Sequence, residues 1–569
     1  MHSKYTARRL HLMTLVSHTA VAPVRSRLEW VAWTGAILAL VCWFVLLGAR
    51  PLFRPDEGRY AEIPREMLAS GDWLVPRLNG LTYIEKPPLQ YWLTAGGYKL
   101  CGMDTWCARL VPGLSAALGI ALVMFAAWRL WGAGRGRNAG IICASAPLYF
   151  LIGQQLTLDM LFTLFLTAAV VAFCVAQSVR EDPGARRRWL MLCWAAIAAG
   201  VMTKGLAALA IPALVLIVYS IWQRDARVWN VRDLALGSLL CLALSAPWFI
   251  AIGRAVPGFT TFFFIHEHFL RYATMSAQRF EPWWYFGPIV LIGIAPWIPQ
   301  IVAAWRAQAS EAMPRSTFDA RRLLWVYAVV VFIFFSISKS KLAPYVLPVV
   351  PVLALLVASY RGVLDAKPLR WSSAITAAAA LLVALALVVF ARVAHKEKQY
   401  VLLELMRPGA LAMALALAAA SLAAFGFLRW RRNDAAFIAI AVGWFGAGAL
   451  LIGWAASAAG PLYSSEALAR RLDEQPRPPG HIYNIGYYEQ TLPFYLGRTV
   501  DIVDYQGELA FGLSEEPWRA LSMDDFAKRW RAEPDAFAIV ESDNLEHLST
   551  LVPIEVIARD PRYALVRRP

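Results

Sequence analysis

Acidic and basic residues stand beside the apolar stretches of this chain, where a folded membrane protein could gather them on one face. Asp56 follows the first apolar stretch, in Arg-Pro-Asp-Glu-Gly-Arg-Tyr, and Asp159 opens the fourth. Lys204 lies in a short Thr-Lys-Gly turn between two further stretches. Either acid, taken alone, could be explained as a residue that stabilises the start of a helix. Ionisable groups at a membrane edge are costly and are commonly functional, so the three together predict a shared polar cavity.

A second pair, Glu85 and Lys86, stands before two prolines in Tyr-Ile-Glu-Lys-Pro-Pro-Leu-Gln-Tyr-Trp. Residues before proline favour extended backbone, in which successive side chains point to opposite sides. One side chain could therefore serve a metal or a sugar, and the other a phosphate. A surface ion pair beside a helix start is the alternative.

Two of the eight histidines, His266 and His268, lie in an aromatic segment that also contains Arg271. Their spacing places both on one face of an extended strand but not of a helix, so a shared metal requires non-helical backbone here. With Glu85 as a third ligand, the set would suit zinc. Interfacial histidines that bind no metal are the alternative.

Further cations follow in Ser-Lys-Ser-Lys-Leu-Ala-Pro-Tyr, residues 338–345, which joins two apolar stretches. Lys339, Lys341 and Tyr345 could bind a phosphate there, with Lys86 and Arg271 available on the same face. Lysines that extend toward lipid headgroups are the alternative.

Membrane-spanning helices are the elements that must position these residues. A bilayer core about 30 Å thick needs roughly 20 apolar residues for each crossing. The composition agrees, with 59% hydrophobic and 17% charged residues. We predict about 13 spanning helices, at residues 29–48, 107–130, 138–151, 159–178, 189–202, 206–222, 234–253, 284–304, 323–337, 343–359, 372–391, 409–428 and 435–455.

The net charge of +16 does not indicate nucleic-acid binding, because the basic residues are dispersed through short loops instead of one surface. They concentrate in the loops on one side of the predicted spans, which the positive-inside rule assigns to the cytoplasm. The N-terminus then lies inside, while the C-terminus and the candidate site residues lie outside. No small-residue cleavage site follows the first stretch, so we expect a retained signal anchor.

The chain is expected to divide into three parts: a basic cytoplasmic arm at 1–27, a membrane domain at 28–455, and an outer domain at 461–569. Long outer loops are expected at residues 50–106 and 254–282, and the first contains two helix-like runs, 57–69 and 88–101. Strand-like runs at 482–485, 537–540 and 563–566, with a helix-like run at 524–531, indicate a small α/β fold. The expected fold class is an all-α polytopic membrane domain followed by this small domain.

Seven cysteines are too few and too scattered for a disulfide scaffold. Cys101 and Cys107 both fall on the predicted outer side, where an oxidising compartment would permit a disulfide. Sequence spacing alone leaves that pairing open.

The string Arg-Pro-Asp-Glu-Gly-Arg-Tyr-Ala-Glu-Ile-Pro-Arg-Glu-Met at 54–67, with residues 83–92, closely resembles the aminoarabinose transferases of Gram-negative bacteria. These are ArnT-type polyisoprenyl-phosphate glycosyltransferases of the GT-C fold. The resemblance implies an inverting enzyme that moves 4-amino-4-deoxy-L-arabinose from undecaprenyl phosphate to a lipid A phosphate, giving resistance to cationic peptides such as polymyxin. It implies a bacterial inner membrane, with the active site and C-terminus in the periplasm.

The resemblance also orders the candidate residues by role. It implies a lipid-linked sugar donor, lipid A and membrane lipids as partners, a structural zinc, and no organic cofactor. The predicted site residues are catalytic Asp56, Asp159 and Lys204; donor-phosphate-binding Lys86, Arg271 and Tyr345; and zinc-binding Glu85, His266 and His268.

Three other functions remain open at this point. A protein O-mannosyltransferase-like enzyme would need a stronger base at Asp56, since a Ser or Thr hydroxyl has a high pKa. A lipid-linked sugar transporter predicts charges and broken helices near the bilayer midplane, and few charged residues lie at the centres of the predicted spans. A scaffold whose outer domain binds a partner is the third.

Overall fold

The structure is a computed structural model that describes residues 27–224, 228–270, 281–310, 318–393, 397–476 and 480–569. Two compact units divide the chain, Met1–Val45 and Leu46–Pro569. In the first unit, the described part is the beginning of helix Arg27–Leu46. Residues 1–26 of the predicted basic arm lie outside the described residues. The predicted boundary at 455–461 stays a prediction.

Helices make up most of the described chain before residue 460, and each predicted apolar stretch coincides with a helix or a pair of helices. Apolar segments become helices in a bilayer because only internal hydrogen bonds satisfy their backbone there. The helices at these stretches are Arg27–Leu46, Leu110–Trp131, Ala133–Ala144, Pro147–Gly153, Leu158–Ser178, Pro183–Lys204, Ala207–Gln223, Val231–Ala255, Phe286–Gly293, Ile298–Ser310, Ala320–Ile337, Val349–Ser359, Ala366–Val393, Glu397–Arg429 and Asn433–Leu450.

Length and composition qualify seven helices of the described residues as membrane spans, or eight if one bent pair counts as a single span. That pair, Phe286–Gly293 and Ala295–Gln308, meets at an angle of 76°. Shorter apolar helices such as Ala207–Gln223 fall below the length used for this count. The chain is therefore a multi-pass membrane protein, and the number of 13 crossings stays a prediction.

The first long loop contains the two helices expected from the sequence, Asp56–Ser70 and Leu89–Cys101. Between them, strands β1 (Arg77–Leu78) and β2 (Leu81–Thr82) pair antiparallel. The two turn residues, Asn79 and Gly80, both have positive φ, of 56° and 75°. This is the conformation that two-residue hairpin turns require and that Asn-Gly adopts readily.

Cys101 and Cys107 form a disulfide, with a Cα–Cα distance of 6.1 Å. It joins the end of helix Leu89–Cys101 to the short helix Thr105–Ala108, which precedes a long membrane helix. The disulfide therefore fixes the turn between these two short helices.

The second long loop begins after helix Val231–Ala255 and contains a π-helix at Thr261–Leu270. Residues 271–280 of this loop lie outside the described residues. An aromatic cluster packs Phe259 and Phe263 of the loop against Trp248 and Ile84, which fixes this helix beside the first long loop.

A mixed six-stranded sheet follows the membrane helices, in the order β5-β4-β3-β6-β8-β7. Its strands are β3 (Ile482–Ile485), β4 (Asp501–Val503), β5 (Ala520–Leu521), β6 (Phe537–Glu541), β7 (Glu555–Arg559) and β8 (Tyr563–Arg567). Strands β3 to β6 are parallel, whereas β7 and β8 pair antiparallel at one edge. The predicted α/β character of this region is confirmed.

One buried apolar cluster connects the first long loop with the sheet region. Tyr60, Ile63 and Met67, on one side of helix Asp56–Ser70, pack with Leu492 and Ile539. Gly58 allows the backbones to meet, since a Cβ there would lie 2.5 Å from the carbonyl carbon of Gln490. The helix that carries Asp56 is therefore held by the C-terminal region.

Candidate functional site

Glu57, the neighbour of Asp56, is the centre of a buried ionic cluster. Its carboxylate contacts Arg50 at 2.5 and 3.0 Å and Arg109 at 2.8 and 3.0 Å. It also accepts the backbone N–H groups of Phe53 and Leu156, at 2.8 and 3.0 Å. A buried carboxylate is stable only when its charge and lone pairs are satisfied in this way.

This cluster connects helix Asp56–Ser70 with the segment that precedes Asp159. Arg50 donates to the carbonyl oxygen of Gln154 at 3.1 Å, and Leu156 donates to Glu57. The segment that leads into Asp159 is therefore attached directly to the residue after Asp56.

Electrostatics keep Glu57 ionised. Burial raises the pKa of its carboxyl, but the charges of Arg109 and Arg50 outweigh burial and hold that pKa well below its ordinary value.

Neither predicted acid acts as a side-chain cap: the helix of Asp56 begins after Pro55 and that of Asp159 after Thr157, both without a capping side-chain hydrogen bond.

Three of the predicted residues meet in one contact group. The ammonium of Lys204 lies 2.5 Å from Oδ1 of Asp159 and 4.2 Å from the ring centroid of Tyr345. It also lies 5.4 Å from the ring centroid of Phe162. A cation within about 6 Å of an aromatic ring is attracted by the ring's π-electrons. The structure therefore brings the predicted catalytic residues Asp159 and Lys204 together with the predicted phosphate ligand Tyr345, from three separate parts of the chain.

Asp56 belongs to a second group, centred on Arg59. The guanidinium of Arg59 lies 3.6 Å from Asp56 and forms a close ion pair with Glu508 of the C-terminal region. It also lies 5.9 and 5.8 Å from the ring centroids of Tyr60 and Tyr83. Burial raises the pKa of Glu508, although the charge of Arg59 opposes this. The Asp56 carboxylate is partly exposed, with 32% of its side chain accessible.

Lys86 turns toward the second long loop. Its ammonium donates to the buried carboxylate of Glu267 at 2.9 Å. It also donates to the backbone carbonyl oxygen of Glu85 at 2.9 Å. The Nδ1 atom of His266 lies 3.7 Å from the other oxygen of Glu267. Glu267, which lies between the two predicted histidine ligands, is therefore the acid that connects the loops.

The predicted zinc site finds no support in the described residues, where no three His, Cys, Asp or Glu side chains are grouped to hold a metal. The backbone at Thr261–Leu270 is a π-helix instead of the non-helical backbone that the spacing of His266 and His268 requires. The side chain of His268 lies outside the described residues, and so does Arg271. The zinc site and the phosphate role of Arg271 stay predictions.

A further buried acid lies on the helix of Asp56. Arg65 binds Glu62 with two hydrogen bonds of 2.6 and 2.7 Å, and Glu66 accepts the N–H of Gly80 at 2.8 Å. Burial, the nearby charge of Glu62 and a hydrogen bond to Glu62 raise the pKa of Glu66 to about 8. The carboxyl group of Glu66 is therefore protonated more readily than that of an ordinary glutamate.

Sequence reasoning missed Glu57, Arg59, Arg109 and Glu508 as parts of this region. The motif at 54–67 contained a signal, because its charged residues recur too densely for one solvent-exposed helix face. Arg109 and Glu508 lie far away in the sequence, and only the fold brings them here.

Two families match parts of the chain. Residues 468–568 match the aminoarabinose transferase C-terminal domain. Residues 85–250 match the dolichyl-phosphate-mannose-protein mannosyltransferases. An undecaprenyl phosphate-α-4-amino-4-deoxy-L-arabinose arabinosyl transferase of Sodalis glossinidius is 37% identical over 340 residues, which is 58% of this chain and 58% of that protein.

Solved structures extend the likeness to nearly the whole chain. ArnT from Cupriavidus metallidurans, bound to undecaprenyl phosphate, is 33% identical with a TM-score of 0.85, covering 95% of this chain and 98% of that one. Its apo state gives a TM-score of 0.82 at 34% identity, covering 94% and 97% of the two chains. The chain therefore belongs to the ArnT family of aminoarabinose transferases and has their GT-C fold.

Proposed function

We propose that this chain transfers 4-amino-4-deoxy-L-arabinose from undecaprenyl phosphate to a phosphate of lipid A. The observation that carries the proposal is its likeness, over almost all of its length, to an ArnT structure bound to undecaprenyl phosphate. The contact group of Asp159, Lys204 and Tyr345 supports it, because a cation and a phenol are suitable donors to a lipid phosphate. Modified lipid A would carry less negative charge and bind polymyxin less strongly.

We place this reaction at the periplasmic face of a bacterial inner membrane. The Cys101–Cys107 disulfide lies in the same long loop as Asp56 and Lys86. Disulfides form in oxidising compartments, which the periplasm is and the cytoplasm is not. The predicted positive-inside orientation supports the same assignment.

The chemistry we propose is one displacement with inversion at the anomeric carbon. The bond from that carbon to the donor phosphate breaks through an oxocarbenium-like state, and its electron pair leaves with undecaprenyl phosphate. A phosphate oxygen of lipid A forms the new bond. Lys86 and Lys204 stabilise the negative charge that develops on the leaving phosphate. Arg271 is assigned the same role.

The two acids have different tasks in this scheme. A phosphate monoester has a second pKa near 6, so the acceptor is already largely anionic and needs no strong base. Asp56, partly exposed beside Arg59, orients the acceptor or binds the ammonium of the sugar. Asp159 holds Lys204 in position, because its carboxylate is the ion-pair partner of that ammonium.

The test combines purified protein with undecaprenyl-phosphate-linked aminoarabinose and lipid A, and follows the mass of lipid A. We expect one added aminoarabinose, and no product when either lipid is omitted. Sugar that crosses a vesicle membrane without lipid A gaining mass would contradict the proposal and favour a transporter. A chain that binds only a partner protein would also leave the mass unchanged.

A second function has one specific observation in its favour, the match of residues 85–250 to protein mannosyltransferases. A hydroxyl acceptor requires a base, so Asp56→Asn would then abolish transfer to a Ser- or Thr-containing peptide. With lipid A as acceptor, we expect Asp56→Asn to retain part of the activity. Incubation with polyisoprenyl-phosphate mannose and such a peptide distinguishes the two enzymes.

A further inference from the structure

Two arginines from distant parts of the chain meet at the ring of Tyr563. Arg54, in the first long loop, donates to the Tyr563 hydroxyl at 3.0 Å, and its guanidinium lies 5.8 Å from the ring centroid. Arg562, in the turn between strands β7 and β8, has its guanidinium 4.4 Å from the same centroid. Both distances suit a cation–π contact, so one ring holds two guanidinium groups beside each other.

Arg562 is largely buried, but only one of its three side-chain nitrogens has hydrogen-bond partners. Its side chain is 11% exposed, and Nη1 donates to Glu489 and to the hydroxyl of Tyr563, both at 3.4 Å. Its Nε and Nη2 atoms are buried and find no hydrogen-bond partner among the residues that the structure describes. A buried donor without a partner is costly, so these N–H groups indicate a position for a bound acceptor.

The acid beside Arg562 also has a buried oxygen to spare. Asp560 accepts the backbone N–H groups of Arg562 and Tyr563 through Oδ1, at 2.6 and 2.7 Å. Its buried Oδ2 has no hydrogen-bond partner in the described part of the chain. Glu489 is occupied, because it pairs with Arg562 and accepts the hydroxyl of Thr491 at 2.8 Å. The group therefore offers donors and one acceptor, a combination that suits a phosphate next to a sugar hydroxyl.

Arg54 places this group at the level of lipid headgroups and beside the candidate active site. Arg54 is exposed, and its backbone N–H donates to the carbonyl oxygen of Tyr463 at 2.9 Å. Tyr463 is 42% exposed and lies shortly after the apolar span Asn433–Ala456. Tyrosines in such positions are typical of the membrane–water interface. Asp56 follows Arg54 by two residues, which limits the distance between their Cα atoms to about 7 Å.

We propose that Arg54 and Arg562 bind the phosphate of lipid A that does not receive the sugar. This rests on the proposed function, in which lipid A is the acceptor. Lipid A carries two phosphates on its sugar headgroup, and guanidinium groups form charge-assisted hydrogen bonds with phosphate oxygens. The second phosphate supplies the acceptors that Nε and Nη2 of Arg562 lack, and Asp560 accepts a sugar hydroxyl. The C-terminal region thereby contributes directly to recognition of the acceptor.

The experiment measures lipid binding to the full-length protein in detergent by native mass spectrometry, with no sugar donor present. The probes are bisphosphorylated and monophosphorylated lipid A, with phosphatidylglycerol and inorganic phosphate as competitors. Arg54→Gln removes the exposed guanidinium. Arg562→Lys keeps a positive charge beside Glu489 but removes the Nε and Nη2 donors. Arg471→Gln is the matched control, because Arg471 is an arginine of the C-terminal region whose side chain is 63% exposed.

We expect the wild-type protein and the control to bind the bisphosphorylated lipid about tenfold more tightly than the monophosphorylated one, the effect of one charge-assisted hydrogen bond. Arg54→Gln and Arg562→Lys should each remove most of this preference without weakening the monophosphorylated lipid. Equal weakening of both lipids by either variant, or a wild-type protein without the preference, would overturn the proposal. Displacement by equimolar phosphatidylglycerol or by millimolar inorganic phosphate would also overturn it, in favour of a site for any anionic lipid or for the free anion.

Because no sugar donor is present, this binding result is independent of the transfer reaction. A protein that shows the preference and loses it in both variants, but transfers no sugar, contradicts only the proposed function. A protein that transfers the sugar to lipid A but shows no preference contradicts only this inference.

Discussion

Replacing Glu57 with glutamine removes the charge that joins the helix of Asp56 to Arg50, Arg109 and the segment before Asp159. The side chains of Arg50 and Arg109 are only 2% and 0% exposed, so neither guanidinium could recover its hydration. Removing one partner of a buried ion pair typically costs about 3–5 kcal/mol. One carboxylate here serves two arginines, so we expect Glu57→Gln to lower the free energy of unfolding by about 4–5 kcal/mol.

Unfolding in mixed detergent micelles, followed by tryptophan fluorescence, measures this loss. Glu474→Gln is the control, because Glu474 pairs with Arg471 at 2.9 Å while the side chains remain 61% and 63% exposed. An exposed pair contributes at most about 1 kcal/mol, so the control should change little. Equal losses in the two variants would refute the view that Glu57 is a structural centre.

Glu57→Gln should also change how the stability of the protein depends on pH. The folded-state pKa of Glu57 lies below its unfolded-state value, so the unfolded chain binds more protons as the pH falls. The stability that ionised Glu57 contributes is therefore present above the ordinary glutamate pKa of about 4.3 and is lost in more acidic solution. Glu57→Gln should remove that part of the acid sensitivity.

Three further predictions concern the first long loop and the predicted zinc. Gly58→Ala should destabilise the protein because a Cβ would overlap the backbone of Gln490, whereas Gly96→Ala, with open space around it, should not; equal melting temperatures would contradict the close packing. The folded-state pKa of Glu66, about 8, lies above its unfolded-state value. The stability that protonated Glu66 contributes is therefore fully present below the unfolded-state pKa and is lost as the pH rises through 8. Glu66→Gln should flatten this decline in thermal stability, and an unchanged pH profile would show that Glu66 does not cause it. If the predicted structural zinc exists, chelation should lower thermal stability before it stops turnover, and elemental analysis that finds no zinc would end the prediction.

Local sequence patterns predicted the elements well wherever the pattern itself determines the element. The helices at Asp56–Ser70 and Leu89–Cys101 and the strands at Ile482–Ile485 and Tyr563–Arg567 all follow runs recognisable in the sequence. The Cys101–Cys107 disulfide could not be decided, because it depends on the distance between two backbones. The order of the six strands was equally undetermined, since register and neighbours are set by tertiary packing.

The candidate site was predictable in its residue types but not in its pairings. The sequence suggested one cavity for Asp56, Asp159 and Lys204, and the structure joins the last two directly while pairing Asp56 with Arg59. From the sequence, Glu57 is an acid at the start of a helix, where the helix dipole favours a negative side chain. Its true partner Arg109 lies 52 residues away and belongs to a different helix junction. Long-range ion pairs of this kind leave no periodic signal in a single sequence.

We propose that cations from separate parts of the chain hold the phosphate of the lipid donor. The most direct measurement compares the affinity for undecaprenyl phosphate of the wild-type protein, Lys86→Met and Lys99→Met. Lys99 lies on the same long loop, 5.0 Å from the ring centroid of Trp73, and is the matched control. We expect Lys86→Met to weaken binding at least about tenfold, the effect of one charge-assisted hydrogen bond, while Lys99→Met binds like wild type. Wild-type affinity in a folded Lys86→Met protein would contradict it.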